Sequence, residues 1–274
     1  MLELGVNTNN ECGTSDDEIL HNIKSAGFKN IMVSYSSSDI EHTIKTAQKL
    51  GLNVAYFHTN NMFANDLWAR GEINEKYVKN VISQIELCGK YNIPIAVMHA
   101  TIGSPTDFAI APNKHGLACM QRILEVAKQN NVKIALENID CFSIKHLFYL
   151  LDNIKSSHLG FCYDVGHHHL YNPKTNLVKK YADRLFAVHL HDNLMDWTVG
   201  YDYSRDLHLL PFDGKIPYEK VCKNLKNANY KGIVMLELHK ADCLKRDQYE
   251  NLTNENYLKL AYQKAEKLAT MIEK

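Results

Sequence analysis

Short continuous apolar runs alternate along the chain with stretches of helical spacing. The runs at Leu2–Asn7, Asn30–Ser34, Asn53–Phe57, Ile95–His99, Lys133–Glu137, Leu159–Tyr163, Leu185–Leu190 and Ile233–Leu236 read as strands buried on both faces, the pattern of a parallel sheet. Between them apolar positions recur at helical intervals, as in Ile40, Ile44, Ala47 and Leu50. Ser15-Asp16-Asp17-Glu18 has the form of a capping box ahead of Ile19, Leu20 and Ile23. Gly27, Gly51 and Asn92-Ile93-Pro94 mark helix stops, where a left-handed cap or a missing N–H ends the turn. Regular alternation of eight strands with helices predicts an α/β protein, one (β/α)₈ barrel domain spanning residues 1–274. The alternative is an open doubly wound sheet, but the first strand is not followed by the Gly-x-Gly-x-x-Gly turn that would favour it.

The ends of the apolar runs carry the chemistry. His58, His99, Glu137, Asp164, His189 and Glu237 each stand at or just past the C-terminal end of a run, and His167, Asp206 and His208 follow close behind. In a barrel all such ends face one mouth, so residues distant in sequence converge there. Carboxylate oxygens mixed with imidazole nitrogens suit Mn²⁺ or Zn²⁺ first, with Co²⁺, Fe²⁺ or Mg²⁺ as alternatives, and the lack of a cysteine cluster argues against a closed structural zinc site. One buried Glu at a strand end reads equally well as half of an ion pair; repetition on strand after strand favours a partly open catalytic metal site. His168 and His169 continue a histidine run and read as helix-entry residues that pack or face solvent, and Trp197 is expected to cap the mouth or a subunit contact.

Composition narrows the function classes. The 274 residues are 45% hydrophobic and 23% charged, enough for a large core. Lys+Arg and Asp+Glu are both 31, so no overall basic field draws phosphate backbones, and residues 64–74 and 103–112 contain a single basic side chain, Arg70. Nucleic acid is therefore disfavoured as a partner. Met1-Leu2-Glu3-Leu4 enters the first strand directly and no run is long enough to span a membrane, so a cytoplasmic protein without membrane contact is expected. The 7 cysteines lie scattered without paired spacing, which fits reduced thiols.

Glu137-Asn138, Asp164-Val165-Gly166-His167, His189-Leu190-His191-Asp192, Asp206-Leu207-His208-Leu209-Leu210-Pro211 with Gly214, and Glu237, in that order, resemble the xylose-isomerase-like TIM barrels. That superfamily includes sugar and sugar-phosphate isomerases and epimerases, inositol-catabolic relatives and apurinic-site endonucleases. The epimerase pattern implies one divalent metal on Glu137, Asp164, His189 and Glu237. The endonuclease pattern implies a larger cluster, its additional ligand positions matching His58, His99, His167, Asp206 and His208.

Epimerisation or aldose–ketose isomerisation removes a proton next to a carbonyl, so it needs a base, a stabiliser for the enediolate and an acid to return the proton. Glu137 and Glu237 are the expected acid–base pair. His167, His191 and His208 are assigned to substrate, and Asn65-Asp66-Leu67-Trp68 resembles a lid segment with Trp68 as an apolar wall. The leading expectation is a metal-dependent isomerase or epimerase of a small sugar or sugar phosphate; the alternative is a multi-metal phosphodiester-cleaving apurinic-site endonuclease. Lys240, Arg205, Lys215 and Arg70 are the cations available for a phosphate, and the resemblance also implies a homodimer.

Overall fold

The computed structural model describes residues 1–102, 110–194, 205–244, 249 and 251–274. Trp197 and residues 103–109 lie outside them. Eight parallel strands, β1 (Leu4–Asn7), β2 (Asn30–Ser34), β3 (Asn53–His58), β4 (Ile95–His99), β5 (Lys133–Glu137), β6 (Leu159–Asp164), β7 (Leu185–His189) and β8 (Val234–Leu236), form one sheet in the order β7-β6-β5-β4-β3-β2-β1-β8. Leu190 N donates to Met235 O at 2.9 Å and Glu237 N to Leu190 O at 3.3 Å, bridging β7 to β8 and closing the TIM barrel. The strands match the apolar runs to within two residues at every end. Among the described residues, no helix is long and apolar enough to cross a membrane.

The two-residue period of the strands places the site. Met32, Tyr56, Val97, Ala135, Cys162, Ala187 and Met235 point into the barrel and form its inner core. Two residues further along each strand, on the same inward face, stand Ser34, His58, His99, Glu137, Asp164, His189 and Glu237. Each polar side chain therefore sits one layer above an apolar one. The small residues in the lower layer leave room for Met32, Tyr56 and Met235, and Gly5 of β1 is needed because a Cβ there would lie 2.7 Å from Met235 Cε.

Outward-facing residues pack under the helices α1 (Asp16–Ala26), α2 (Ile40–Lys49), α3 (Glu72–Lys90), α4 (Lys114–Gln129), α5 (Ile144–Asn153), α6 (Val165–Tyr171), α7 (Leu177–Lys180), α8 (Tyr218–Asn227), α9 (Lys240–Leu244) and α10 (Asn254–Glu273). The cap ahead of α1 differs from the expected box in one contact. Ser15 accepts from Glu18 N, but the Glu18 carboxylate reaches Thr14 N, at 2.8 Å, in place of Ser15 N. Gly27 ends α1 with φ 104°, and Asn92 and Asn131 take left-handed φ of 57° and 56° in the turns into β4 and β5.

Trp68, on the short 3₁₀ turn Ala64–Trp68, corrects one expectation. It is only 2% exposed, its Nε1 donates to Ala100 O at 2.7 Å, and its ring packs against His146 and Tyr149. The indole fills the layer between barrel and helices, so it does not wall the mouth. Gly116 permits this, since a Cβ there would meet Trp68 Cε3 at 2.3 Å. Gly116→Ala is expected to cost about 1–3 kcal/mol through overpacking, seen as a lower urea midpoint with an unchanged m-value. An unchanged midpoint would mean that Trp68 has room to yield.

Candidate metal centre

Glu137, Asp164, His189 and Glu237 meet at the barrel mouth, with one donor atom from each lying within 4.8 Å of the others. His189 Nδ1 is 3.0 Å from Glu237 Oε2, 3.4 Å from Glu137 Oε1 and 3.8 Å from Asp164 Oδ2. Three buried carboxylates thus converge on one imidazole, whose two nitrogens have no hydrogen-bond partner. Such an arrangement calls for a cation.

Three more donor groups adjoin or overlap this one, among them His191 with His208 and Glu237. His58 Nε2 and His99 Nε2 are each 3.2 Å from Glu137 Oε2, whereas Glu137 Oε1 faces His189 and, at 3.3 Å, His167 Nδ1. The two oxygens of Glu137 therefore look toward different groups, and Glu137 would be shared if both held an ion. His167, Asp206 and His208 form the third group: His167 Nε2 is 2.8 Å and His208 Nε2 3.7 Å from Asp206 Oδ2, and Asp206 Oδ1 is buried without a partner. The nine residues are the full set expected as ligands from the sequence, and the donor chemistry fits divalent ions such as Mn²⁺ or Zn²⁺.

Backbone and neighbouring side chains hold these groups in place. Asn138 donates through Nδ2 to Asp164 O at 2.8 Å and accepts at Oδ1 from Asp164 N at 3.0 Å, tying the tip of β5 to that of β6. An equivalent amide clasp joins Asn7 on β1 to Leu238 just after β8. Asp164 caps α6 by accepting from His167 N at 2.7 Å, and His208 Nδ1 lies 3.1 Å from Glu237 O.

His191 departs from its expected role on substrate. It is fully buried, with Nε2 3.2 Å from both oxygens of Asp164 and Nδ1 3.0 Å from Leu207 O, so its polar atoms are already committed behind the donor cluster. It orients Asp164 and stacks on His208 at 4.0 Å. Gly166 makes room for it, as a Cβ there would come 2.0 Å from His191 Cε1. His168 packs as expected, between Tyr163 OH and Thr175 O.

His58, His99, Glu137, His167, Asp206, His208 and Glu237 open onto a cavity of about 450 Å³. Its upper wall was not foreseen in the sequence: Asn9, Ser34, Tyr35, Ser36, Asn61 and Met62, with His239 stacked on His208 at 4.5 Å. His239 was nonetheless discoverable, since it lies two residues past Glu237 at the last strand end.

Electrostatics agree with a site made for positive charge. Burial would raise the Glu137 carboxyl, but the imidazoles of His189 and His99 outweigh it and hold it well below the carboxylate range. Burial lowers His189 and His167, and their carboxylate neighbours, with the Cys162 thiol also acting on His189, carry both well above the usual histidine value. His208, lowered by burial and raised more strongly by Asp206, is pushed up to about 9. A divalent ion would replace these protons. Loading at neutral pH is therefore expected to release protons, with apparent affinity for Mn²⁺ climbing as pH rises through the raised histidine values, that of His208 being about 9. In the metal-free protein the raised His208 contributes stability that is complete below the ordinary histidine range and lost as pH rises through about 9, and His189 and His167 act in the same direction. Calorimetric titration in buffers of different ionisation enthalpy measures the release; a heat independent of buffer would show that the imidazoles start neutral.

The family model of the xylose isomerase-like TIM barrels matches residues 20–260. The chain belongs to that family. Among individual proteins, this member of the xylose isomerase-like family is 28% identical over 185 residues to the uncharacterized protein y4fM of Sinorhizobium fredii, a match covering 62% of this chain and 54% of that protein. The chain thus spans about half the length of that relative. A D-tagatose 3-epimerase-like protein superposes with a TM-score of 0.71 at 21% identity, covering 96% of this chain and 99% of the other. D-psicose 3-epimerase from Clostridium cellulolyticum H10 superposes with a TM-score of 0.73 at 13% identity, each chain being covered 100%. At these identities the structural likeness establishes the fold.

Proposed function

We propose that the protein is a divalent-metal-dependent isomerase or epimerase of carbohydrates. The observation that carries this reading is the pair of buried glutamates, Glu137 and Glu237, within 4.8 Å of each other by their nearest donor atoms on the floor of an open cavity. Solved structures of similar fold named as sugar 3-epimerases support it. When bound, the ion supplies a Lewis acid that polarises the substrate carbonyl and stabilises negative charge on its oxygens.

The residues divide the remaining work. The Glu237 side chain is 11% exposed and Glu137 only 1%, so Glu237 is the more accessible base. Its carboxylate takes the proton from the carbon beside the carbonyl; the C–H electron pair becomes the carbon–carbon double bond of the enediolate, and the carbonyl oxygen takes the charge. Return of a proton to the opposite face, passed on by Glu137 after it has taken that proton from water in the cavity, gives the epimer, and Glu237 gives up its own proton to water; return of the Glu237 proton to the neighbouring carbon gives the isomer. His167 and His208, on the cavity wall, orient substrate hydroxyls.

Deuterium incorporation tests this directly. Metal-loaded protein in D₂O with a panel of ketoses should place deuterium beside the carbonyl, and a chelator should stop it. Failure with every ketose would overturn the reading. A second reading has its own support: the two extra donor groups on either side of Glu137 suit several ions, and a multi-ion cluster suits phosphodiester hydrolysis. Nicking of an abasic-site duplex, with strong salt dependence, would select it.

A further inference from the structure

The cavity has two chemically distinct halves. Its floor is built from the imidazoles and carboxylates of the donor groups. Its upper wall, Asn9, Tyr35, Ser36, Asn61 and Met62 above Ser34, is made of amides, hydroxyls and apolar surface, and Ile102, Ile139 and His239 complete the lining. The half-buried Tyr35 donates from its hydroxyl to Asn61 Oδ1 at 3.0 Å. This bond fixes the ring at the cavity edge and leaves the Asn61 NH₂ to serve as a donor there. Ser36 Oγ donates to Ser34 Oγ at 2.9 Å, and beside this polar strip Met62 and Phe63 are 60% and 58% exposed. A wall that mixes amphipathic aromatic surface with neutral hydrogen-bonding groups matches a sugar ring, which presents C–H faces and a hydroxyl edge.

Charge and size both extend the argument. Among the described residues, neither Lys nor Arg lines the cavity, and residues 103–109 and 195–204 contain neither in the sequence. Arg70, Arg205, Lys215 and Lys240 are all absent from the lining, and Lys240 Nζ is bound to Leu252 O at 3.2 Å and Asn254 Oδ1 at 2.6 Å. Lys245 and Arg246 are the cations of the stretch 245–248. The upper wall thus offers neutral donors where a phosphate would call for cations. The volume of about 450 Å³ lies within the roughly 300–1,000 Å³ of pockets that bury most of a drug-sized ligand.

We infer that the substrate is an uncharged disaccharide or glycoside, with its reacting ketose unit at the donor groups and its second ring against Tyr35, Asn61 and Met62. The assignment rests on the isomerase and epimerase reading above. The test uses the metal-loaded full chain with D-fructose, D-fructose 6-phosphate, isomaltulose and lactulose, the last two being ketoses that carry a second ring. Binding is measured by saturation-transfer NMR and reaction by deuterium exchange. At least one disaccharide should bind about ten-fold or more tighter than D-fructose, with the advantage in turnover appearing in KM. Tyr35→Ala and Asn61→Ala should shrink that preference. Equal or tighter binding of D-fructose or its phosphate, or no disaccharide binding, would overturn the inference. Preferential disaccharide binding without exchange in any compound would overturn the isomerase reading and leave the assignment of the upper wall standing.

Discussion

Glu237→Gln is expected to lower the deuterium-exchange rate by about 10²–10⁴-fold, the usual worth of a positioned acid or base, while far-UV circular dichroism stays unchanged. The amide keeps the shape of the side chain, so the barrel closure through Leu190 and Met235 is untouched. It loses the negative charge that faces His189 at 3.0 Å, and it can no longer accept a proton. Because Glu237 is both donor and base, metal content has to be measured alongside the rate. A variant that retains its ion yet does not turn over isolates the proton transfer; near-normal exchange would remove Glu237 from the mechanism. Substitution of His21, exposed on α1, serves as the control.

The donor residues were legible because strand geometry is periodic. An apolar run followed by Glu137 or His189 marks both the end of a strand and the inward face of the next layer, so the sequence carries position and direction together. The upper wall had no such mark. Asn9, Ser34, Tyr35, Ser36 and Asn61 sit at strand tips and in loops, where short polar residues look the same whether they face solvent or substrate. Trp68 and His191 were placed on the cavity because large or polar side chains near a mouth invite that reading. What decided otherwise was a close approach by distant residues: Gly116 lets α4 close over the indole, and Leu207 O and Asp164 take up both nitrogens of His191. Contacts of that kind depend on packing, which a local pattern does not encode.

Replacing His58 and His99 together by Ala is expected to lower the bound metal by one equivalent per chain and leave the ion at Glu137, Asp164, His189 and Glu237 in place. The two imidazoles contact only the Oε2 side of Glu137. The other oxygen and the remaining donors are all retained, with His189 losing only the His58 ring stacked on it at 6.0 Å, so the central group keeps three carboxylates and an imidazole. The wild-type chain should accordingly hold more than one Mn²⁺ or Zn²⁺ after desalting, counted by inductively coupled plasma mass spectrometry. The double variant also strips Glu137 of His99, one of the two imidazoles whose charge does most to hold its carboxyl low against burial, so the remaining ion becomes its main source of positive charge and should bind with steeper pH dependence. Equal metal content of one per chain in both proteins would mean that His58 and His99 serve Glu137 as hydrogen-bonding supports alone. The multi-ion cluster, and with it the phosphodiester reading, would then lose its footing.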